Sequence, residues 1–135
     1  MIQGSEEWHA ARLGKVTASR IVDVMAKGAG GKPSATRANY MAELAAERLT
    51  GATAQSFTSA AMQHGTDTEA QARASIAWDL GLEISEVGFI PHPSIGMSGA
   101  SPDGLIGETS GLEIKCPNTA THISTLRGAA IKRDY

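Results

Sequence analysis

Two stretches decide how this chain reads: Ser101-Pro102-Asp103-Gly104-Leu105 and Gly111-Leu112-Glu113-Ile114-Lys115-Cys116-Pro117. Residues 95–106 and 111–116 have strand character, and 107–110 form a short turn-rich connection between them. On a strand, side chains two apart share a face. Glu113 and Lys115 therefore point one way and Ile114 the other, toward a core. Asp103, beside Gly104 near the end of the partner strand, can face Glu113 across the pair. Two carboxylates so placed repel unless one is protonated or a cation lies between them. A hard divalent ion is the natural solution, because Mg²⁺ takes oxygen ligands and keeps several waters. Such an ion polarises a phosphoryl oxygen and lowers the pKa of a bound water. Lys115 can then orient that water or offset charge in the transition state. An edge hairpin with ordinary solvent-facing charges fits the same pattern, and Asp in a Pro-Asp-Gly turn is common for backbone reasons alone.

Upstream of the hairpin the period is helical. Ser5 suits the N-cap of a helix over 6–13 with Gly14 at its end. A second helix is expected from Ser19 to just before Gly28, followed by a Gly-rich loop over 28–34. A longer one is expected over 35–50, with Met41, Ala45 and Leu49 on its apolar stripe and Gly51 as its stop. Another covers 67–80, with Ile76 and Leu80 on the stripe. Val87–Ile90 is a short β run ended by Pro91. From Thr119 the tail is helical again, broken at Gly128, with a new helix beginning at Ala129. The expected fold is α/β, a small mixed sheet flanked by helices. It forms one domain over 1–135: N-terminal helices over 5–80, a β-hairpin over 95–117 and the start of a C-terminal helical segment over 119–135.

The composition is globular, with 41% hydrophobic and 19% charged residues in 135. That excludes a disordered or fibrous chain. No apolar run approaches the roughly 20 residues of a membrane span, and no signal peptide is expected from residues 1–7, which have no basic region followed by an apolar stretch. The single cysteine, Cys116, excludes an internal disulfide and a cysteine-based zinc finger. A reducing cytoplasm is the expected compartment. Net charge is only −2, yet its distribution is uneven. Residues 1–50 carry +2, residues 51–113 carry −7 with Arg73 as their one basic group, and residues 114–135 carry +3. An acidic centre between basic flanks is either a solvated face or a set of carboxylates gathered around a cation while the flanks hold a polyanion.

Pro102-Asp103, nine intervening residues and Glu113-Ile114-Lys115 together resemble the PD-(D/E)XK nuclease motif. Trp8-His9-Ala10-Ala11-Arg12-Leu13-Gly14, followed by Val16-Thr17-Ala18-Ser19, resembles the opening of the phage lambda exonuclease and YqaJ-like viral recombinase family. Gly65-Thr66-Asp67-Thr68-Glu69 resembles that family's Gly-x-x-x-Glu element at a helix start. Ser101–Leu105 and Leu112–Pro117 are similar to its core, and the order and spacing of all four stretches agree. The resemblance implies a restriction-endonuclease-like core. It also implies a metal-dependent exonuclease that digests duplex DNA from 5′ ends and leaves a 3′ single strand for recombination. In that scheme Asp103, Glu113 and the Ile114 main-chain carbonyl are metal ligands and Lys115 is the catalytic lysine. Glu69 completes the acidic cluster, as a ligand of a second metal or of its water. One or two Mg²⁺ ions are implied, with Mn²⁺ able to substitute. Arg12 and Ser19, with Ser101, match the pocket that receives the 5′ phosphate.

The same resemblance points to a phage or prophage recombination system in a bacterial host. Double-stranded DNA ends are its substrate, and a single-strand annealing protein and further copies of the chain are candidate partners. In the family, a tail like 131–135 continues as a helix carrying a Gln near the active site, then further strands and a helix. The chain is therefore expected to be C-terminally truncated, as a fragment or a shortened gene product. A structure-specific endonuclease and a non-catalytic DNA-end-binding remnant are the alternatives on the same core.

Several of these residues have structural readings beside the functional ones. Thr66-Asp67-Thr68-Glu69 fits a capping box. Arg12 suits a helix C-terminus, and Ser19 suits an N-cap that is also an anion site. Trp8 suits a core position better than a base-stacking platform. His64, His92 and His122 have no metal-set spacing, His9 beside Trp8 reads as structural, and Cys116 reads as a small buried hydrophobe.

Overall fold

The computed structural model describes residues 1–53 and 60–131, with residues 60–62 in backbone only. They gather into two compact units, one built from residues 1–53 and 88–101, the other from 60–87 and 102–131. The expected tail over 132–135 lies outside the described residues, and 129–131 carry no helix.

In the first unit, α1 (Glu6–Arg12) starts at Ser5, whose hydroxyl accepts from the Trp8 amide. Gly14, at φ +64°, ends it. The Gly14 N–H donates to Glu47 Oε2 at 2.8 Å and its carbonyl accepts from Arg48 Nε at 2.7 Å. Both partners lie on α3 (Ala35–Thr50), which is capped by Ser34 and stopped by Gly51 in the left-handed region. Between them run β1 (Val16–Thr17), a 3₁₀ turn over Ala18–Arg20 and α2 (Ile21–Met25). Ser19 lies inside the 3₁₀ turn and caps nothing, since Thr17 precedes that turn and Arg20 precedes α2. The inward face of α3 carries Tyr40 and Leu44, flanked by Glu43 and Glu47. The expected Met41-Ala45-Leu49 stripe faces outward instead. The reason is the aromatic: Tyr40 meets the buried Thr17 amide with its hydroxyl and draws its own face inward.

The sheet of this unit has the order β1-β4-β3, with β3 at Ile90–Pro91 and β4 at Ser98–Ala100. β1 runs parallel to β4, and β3 runs antiparallel to it. Pro91, expected to end a strand, instead lies in one, on the sheet edge where a missing N–H is tolerated. Phe89 joins Tyr40 and Leu44 as the buried apolar core among the described residues.

The second unit holds α4 (Ala60–Leu80), β2 (Ile84–Ser85), β5 (Gly104–Ile106), β6 (Ser110–Leu112) and α5 (Thr119–Leu126). The sheet order is β2-β5-β6, all antiparallel. The expected strand over 95–106 is thus two strands in two sheets, parted at Ser101-Pro102, where Pro102 offers no donor to a ladder. The expected 111–116 strand stops at Leu112, and residues 113–118 are irregular. α4 begins before the expected Thr66 cap, because Ala60-Ala61-Met62-Gln63 are strong helix formers and Gly65 costs only about 1 kcal/mol in a helix interior. Gly104 is buried, and a Cβ there would approach Ile84 Cγ2 to 2.6 Å, so glycine sets the spacing of β2 and β5.

Gly99 is the tightest position in the first sheet: a Cβ would run into the Ile90 carbonyl oxygen and the Phe89 ring. Gly99→Ala is expected to cost about 1–3 kcal/mol of stability as the pair is forced apart. Gly96→Ala, where a Cβ meets nothing within 4 Å, is expected to stay within about 0.5 kcal/mol of the parent. Urea unfolding of both variants checks this, and equal midpoints would overturn the close approach of β3 and β4.

Candidate active site

The β5–β6 pairing sets the geometry of the second unit's acidic group. The rungs are Ile106↔Ser110, Leu105↔Gly111 and Gly104↔Leu112, so Asp103 and Glu113 flank the open end of the hairpin. Asp103 is held at three points. Its N–H donates to the Leu112 carbonyl at 3.0 Å, its Oδ2 accepts from the Ile114 N–H at 2.5 Å, and its carbonyl accepts from Arg73 Nε at 2.7 Å. Beyond β6, burial alternates residue by residue. Leu112, Ile114 and Cys116 are half-buried, while Glu113 and Lys115 are exposed. The shared side expected for Glu113 and Lys115 is present, and the two form an ion pair. Ile114 is half-buried rather than enclosed in a core.

Glu69 reaches this group from α4. It sits in the third turn of that helix, not the first, so the capping-box role does not apply. The half-buried stripe of α4 runs through Thr68, Glu69, Ala72, Arg73, Ile76 and Ala77, placing a charged pair on the face that ordinarily carries apolar groups. Arg73 Nη2 donates to Glu69 Oε1 at 2.7 Å, and Arg73 Nη1 lies 3.3 Å from Glu86 Oε2. Arg73 and Glu86 were not among the residues picked out from sequence. The available signal was a lone basic residue in an acidic segment, four positions after Glu69 and so on the same helix face.

Electrostatics mark the same residues. Burial, and after it the Glu113 charge, push the Asp103 carboxyl above its ordinary value against the pull of the Ile114 N–H, Lys115 and Arg73. Burial and the Asp103 charge push Glu69 up, and Arg73 opposes them. Among the described residues no three His, Cys, Asp or Glu side chains converge closely enough to hold a metal ion by themselves. The donor chemistry fits a hard cation nevertheless. Asp103 and Glu113 could supply oxygens and Ile114 a carbonyl, and a cation that keeps several waters needs few protein ligands.

The first unit carries the remaining candidates. The Arg12 guanidinium stacks on the Trp8 ring, 3.9 Å from its centroid. Trp8 Nε1 donates to Ser101 Oγ at 2.9 Å. Trp8 is therefore half-buried and joins Arg12 to Ser101. Burial lowers the Arg12 pKa, with Tyr40 and Glu47 opposing, and among the described residues no carboxylate lies in salt-bridge range of it. Ser19 is exposed, and its hydroxyl shares a 3.1 Å hydrogen bond with Thr17 Oγ1.

A family model for the YqaJ-like viral recombinase domain matches residues 7–135. The chain is similar to an alkaline exonuclease, LHK-Exo, from Laribacter hongkongensis, with a TM-score of 0.83 and 53% identity over 97% of this chain and 63% of that one. It is likewise similar to LHK-Exo solved in complex with dAMP, with a TM-score of 0.83 and 54% identity over the same shares. The chain thus spans 63% of the length of these structures. No curated protein matches it. The mixed α/β architecture, with small sheets flanked by helices, is that of these exonucleases, and the chain belongs to the YqaJ-like viral recombinase family.

Proposed function

We propose that this chain carries the active site of a metal-dependent DNA nuclease, a 5′-to-3′ exonuclease acting on double-stranded DNA ends. The observation that supports it most directly is the placement of Asp103 and Glu113 at the open end of the hairpin, with Lys115 paired to Glu113. That placement occurs in a chain 54% identical to an exonuclease solved with dAMP. Asp103, Glu113 and the Ile114 carbonyl would hold Mg²⁺ or Mn²⁺, with Glu69 adjoining. When bound, such an ion supplies phosphoryl polarisation and acidified water.

The chain's own groups then divide the work. The half-buried Asp103, fixed at three points, presents one carboxylate oxygen while the other is spent on the Ile114 amide. Lys115 donates from Nζ to the attacking water or to the developing negative charge on the phosphoryl oxygens, with Glu113 holding it on the correct side. Water is the nucleophile, the P–O bond to the leaving 3′ oxygen breaks, and no covalent enzyme intermediate is required. Arg12, with Ser101 and Ser19, receives the 5′-terminal phosphate. A guanidinium with no carboxylate in salt-bridge range among the described residues can match a dianion through paired charged hydrogen bonds. Action within a recombination system beside a single-strand annealing protein, and self-assembly, belong to the same proposal.

Hydrolysis of linear duplex should require Mg²⁺ or Mn²⁺ and stop in EDTA, and Asp103→Asn should stay folded and lose turnover. Normal digestion by Asp103→Asn would sink the assignment. Release of mononucleotides with closed circles spared supports an exonuclease, and cutting of circles would overturn it.

Lys115→Ala should lower kcat by roughly 10²–10⁴ with little change in Ca²⁺-supported DNA binding. A parallel loss of binding would show Lys115 to be a substrate contact instead.

Arg12→Ala should narrow the preference for 5′-phosphorylated over 5′-hydroxyl duplex by about tenfold or more, the worth of one charge-assisted pair. An equal loss on both substrates would make Arg12 a general backbone contact.

A further inference from the structure

We propose that Arg73 is a positioning residue. It sets the conformation of Asp103 through that residue's main-chain carbonyl and is itself aimed by Glu69 and Glu86. Its consequence for turnover rests on the nuclease reading above; its structural part does not.

The three nitrogens of one guanidinium have three different partners. Nε donates to the Asp103 carbonyl at 2.7 Å, Nη2 to Glu69 at 2.7 Å and Nη1 to Glu86 at 3.3 Å. These partners come from the middle of α4, the residue just after β2 and the residue just before β5. A guanidinium is planar and its donors diverge at fixed angles, so meeting all three fixes the entry of the hairpin relative to the helix. A surface ion pair of ordinary kind would leave the neutral carbonyl to water. Here the Arg73 side chain is only 15% exposed, against 26% for Glu69 and 48% for Glu86. The carbonyl bond therefore sits at the sheltered end of the side chain, where its loss leaves an acceptor without a donor.

Asp103 has no other freedom to absorb a change. Its amide is spent on Leu112 and one carboxylate oxygen on Ile114. Rotating its peptide plane to follow a lost Arg73 contact would pull Oδ2 off the Ile114 amide. Arg73 thus acts on the carboxylate without touching it. Lysine, with one compact ammonium on a flexible stem, keeps the charge but cannot address three directions.

The test uses the full 135-residue chain and two readouts. The first is amide hydrogen exchange at Ile114, which needs neither metal nor DNA, with the Thr17 amide as an internal reference. The second is kcat and KM on linear duplex in Mg²⁺. Arg73→Gln and Arg73→Lys are both expected to speed exchange at Ile114 by about tenfold, the worth of one sheltered hydrogen bond, and to leave Thr17 unchanged. Both should lower kcat by roughly 10- to 100-fold with KM nearly constant, the signature of misplaced rather than missing binding groups. Unchanged protection at Ile114 in Arg73→Gln would overturn the proposal, as would full recovery by Arg73→Lys, which would show that charge alone suffices. Should Thr17 also lose protection, Glu86→Ala decides. It removes only the outer, exposed pair, and a rise of roughly threefold at Ile114 alone supports the aim of Arg73, whereas no rise overturns it. An inactive parent chain would defeat the nuclease reading by itself and leave the exchange result to decide for Arg73.

Discussion

The register of one three-rung hairpin is the constraint on which the candidate site depends. Because Gly104 pairs with Leu112, the next residues outward on the two strands are Asp103 and Glu113, and both are acids. A slip by one residue would put Pro102 or Ile114 in their place and send each side chain to the other face. The register is held from several directions. The turn carries Gly107 at φ +62°, Gly104 lets β2 close on β5, and the Asp103 amide and carboxylate make two further bonds to the opposite strand's continuation. Repulsion between the two acids is therefore not relieved by sliding, and it adds to burial, the larger cause, in pushing the Asp103 carboxyl above its ordinary value.

Charge compensation around that point is partial. Among the described residues two cations, Arg73 and Lys115, lie with four carboxylates: Glu69, Glu86, Asp103 and Glu113. These groups carry an excess of negative charge, and at Asp103 and Glu69 burial makes that costly. This is the physical ground for proposing a divalent cation there. It also explains why a charged pair occupies the inward stripe of α4, where an apolar pair would pack better.

Much of this was legible in the sequence because it depends on strand alternation and on turn residues. Asp103, Glu113, Ile114 and Lys115 have the relative placement that period-two spacing implies, although β6 ends before Glu113, because alternation of burial outlasts the ladder itself. The long α3 and its stop at Gly51 were equally readable. Three things were not. The start of α4 was hidden by Gly65, a strong local signal that a run of helix formers overrides. The division of 95–106 between two sheets turns on the partner each half finds, which no local pattern records. The inward face of α3 is not set by apolarity alone: Met41 and Leu49 are more apolar than Tyr40, but the Thr17 amide gives the Tyr40 hydroxyl a partner and removes the cost of burying it. Arg73 escaped for a related reason. Its role lies in two bonds to residues 13 and 30 positions away, and only the contact with Glu69 is local.

Two arginines of the first unit show how the same stacking contact serves different ends. Arg20 lies over the Tyr40 ring at 4.2 Å, and Arg12 over the Trp8 ring at 3.9 Å. Arg20 is fully engaged: its fork takes both oxygens of Glu43 at 3.0 and 3.1 Å, and its Nε takes Asp23. Its pKa is accordingly raised, with the Glu43 bonds as the largest cause. Its charge is consumed in tying α2 to α3. Arg12 receives the ring and partial burial but no carboxylate in salt-bridge range among the described residues, and its pKa moves down. An aromatic face holds a guanidinium in place without neutralising it, so the donors remain available to an outside anion. The nearby Ser101 hydroxyl, already accepting from Trp8, keeps its own proton to donate. Arg20 and Arg12 thus differ in what already satisfies the fork, and that difference favours Arg12 over Arg20 for the terminal-phosphate role proposed above.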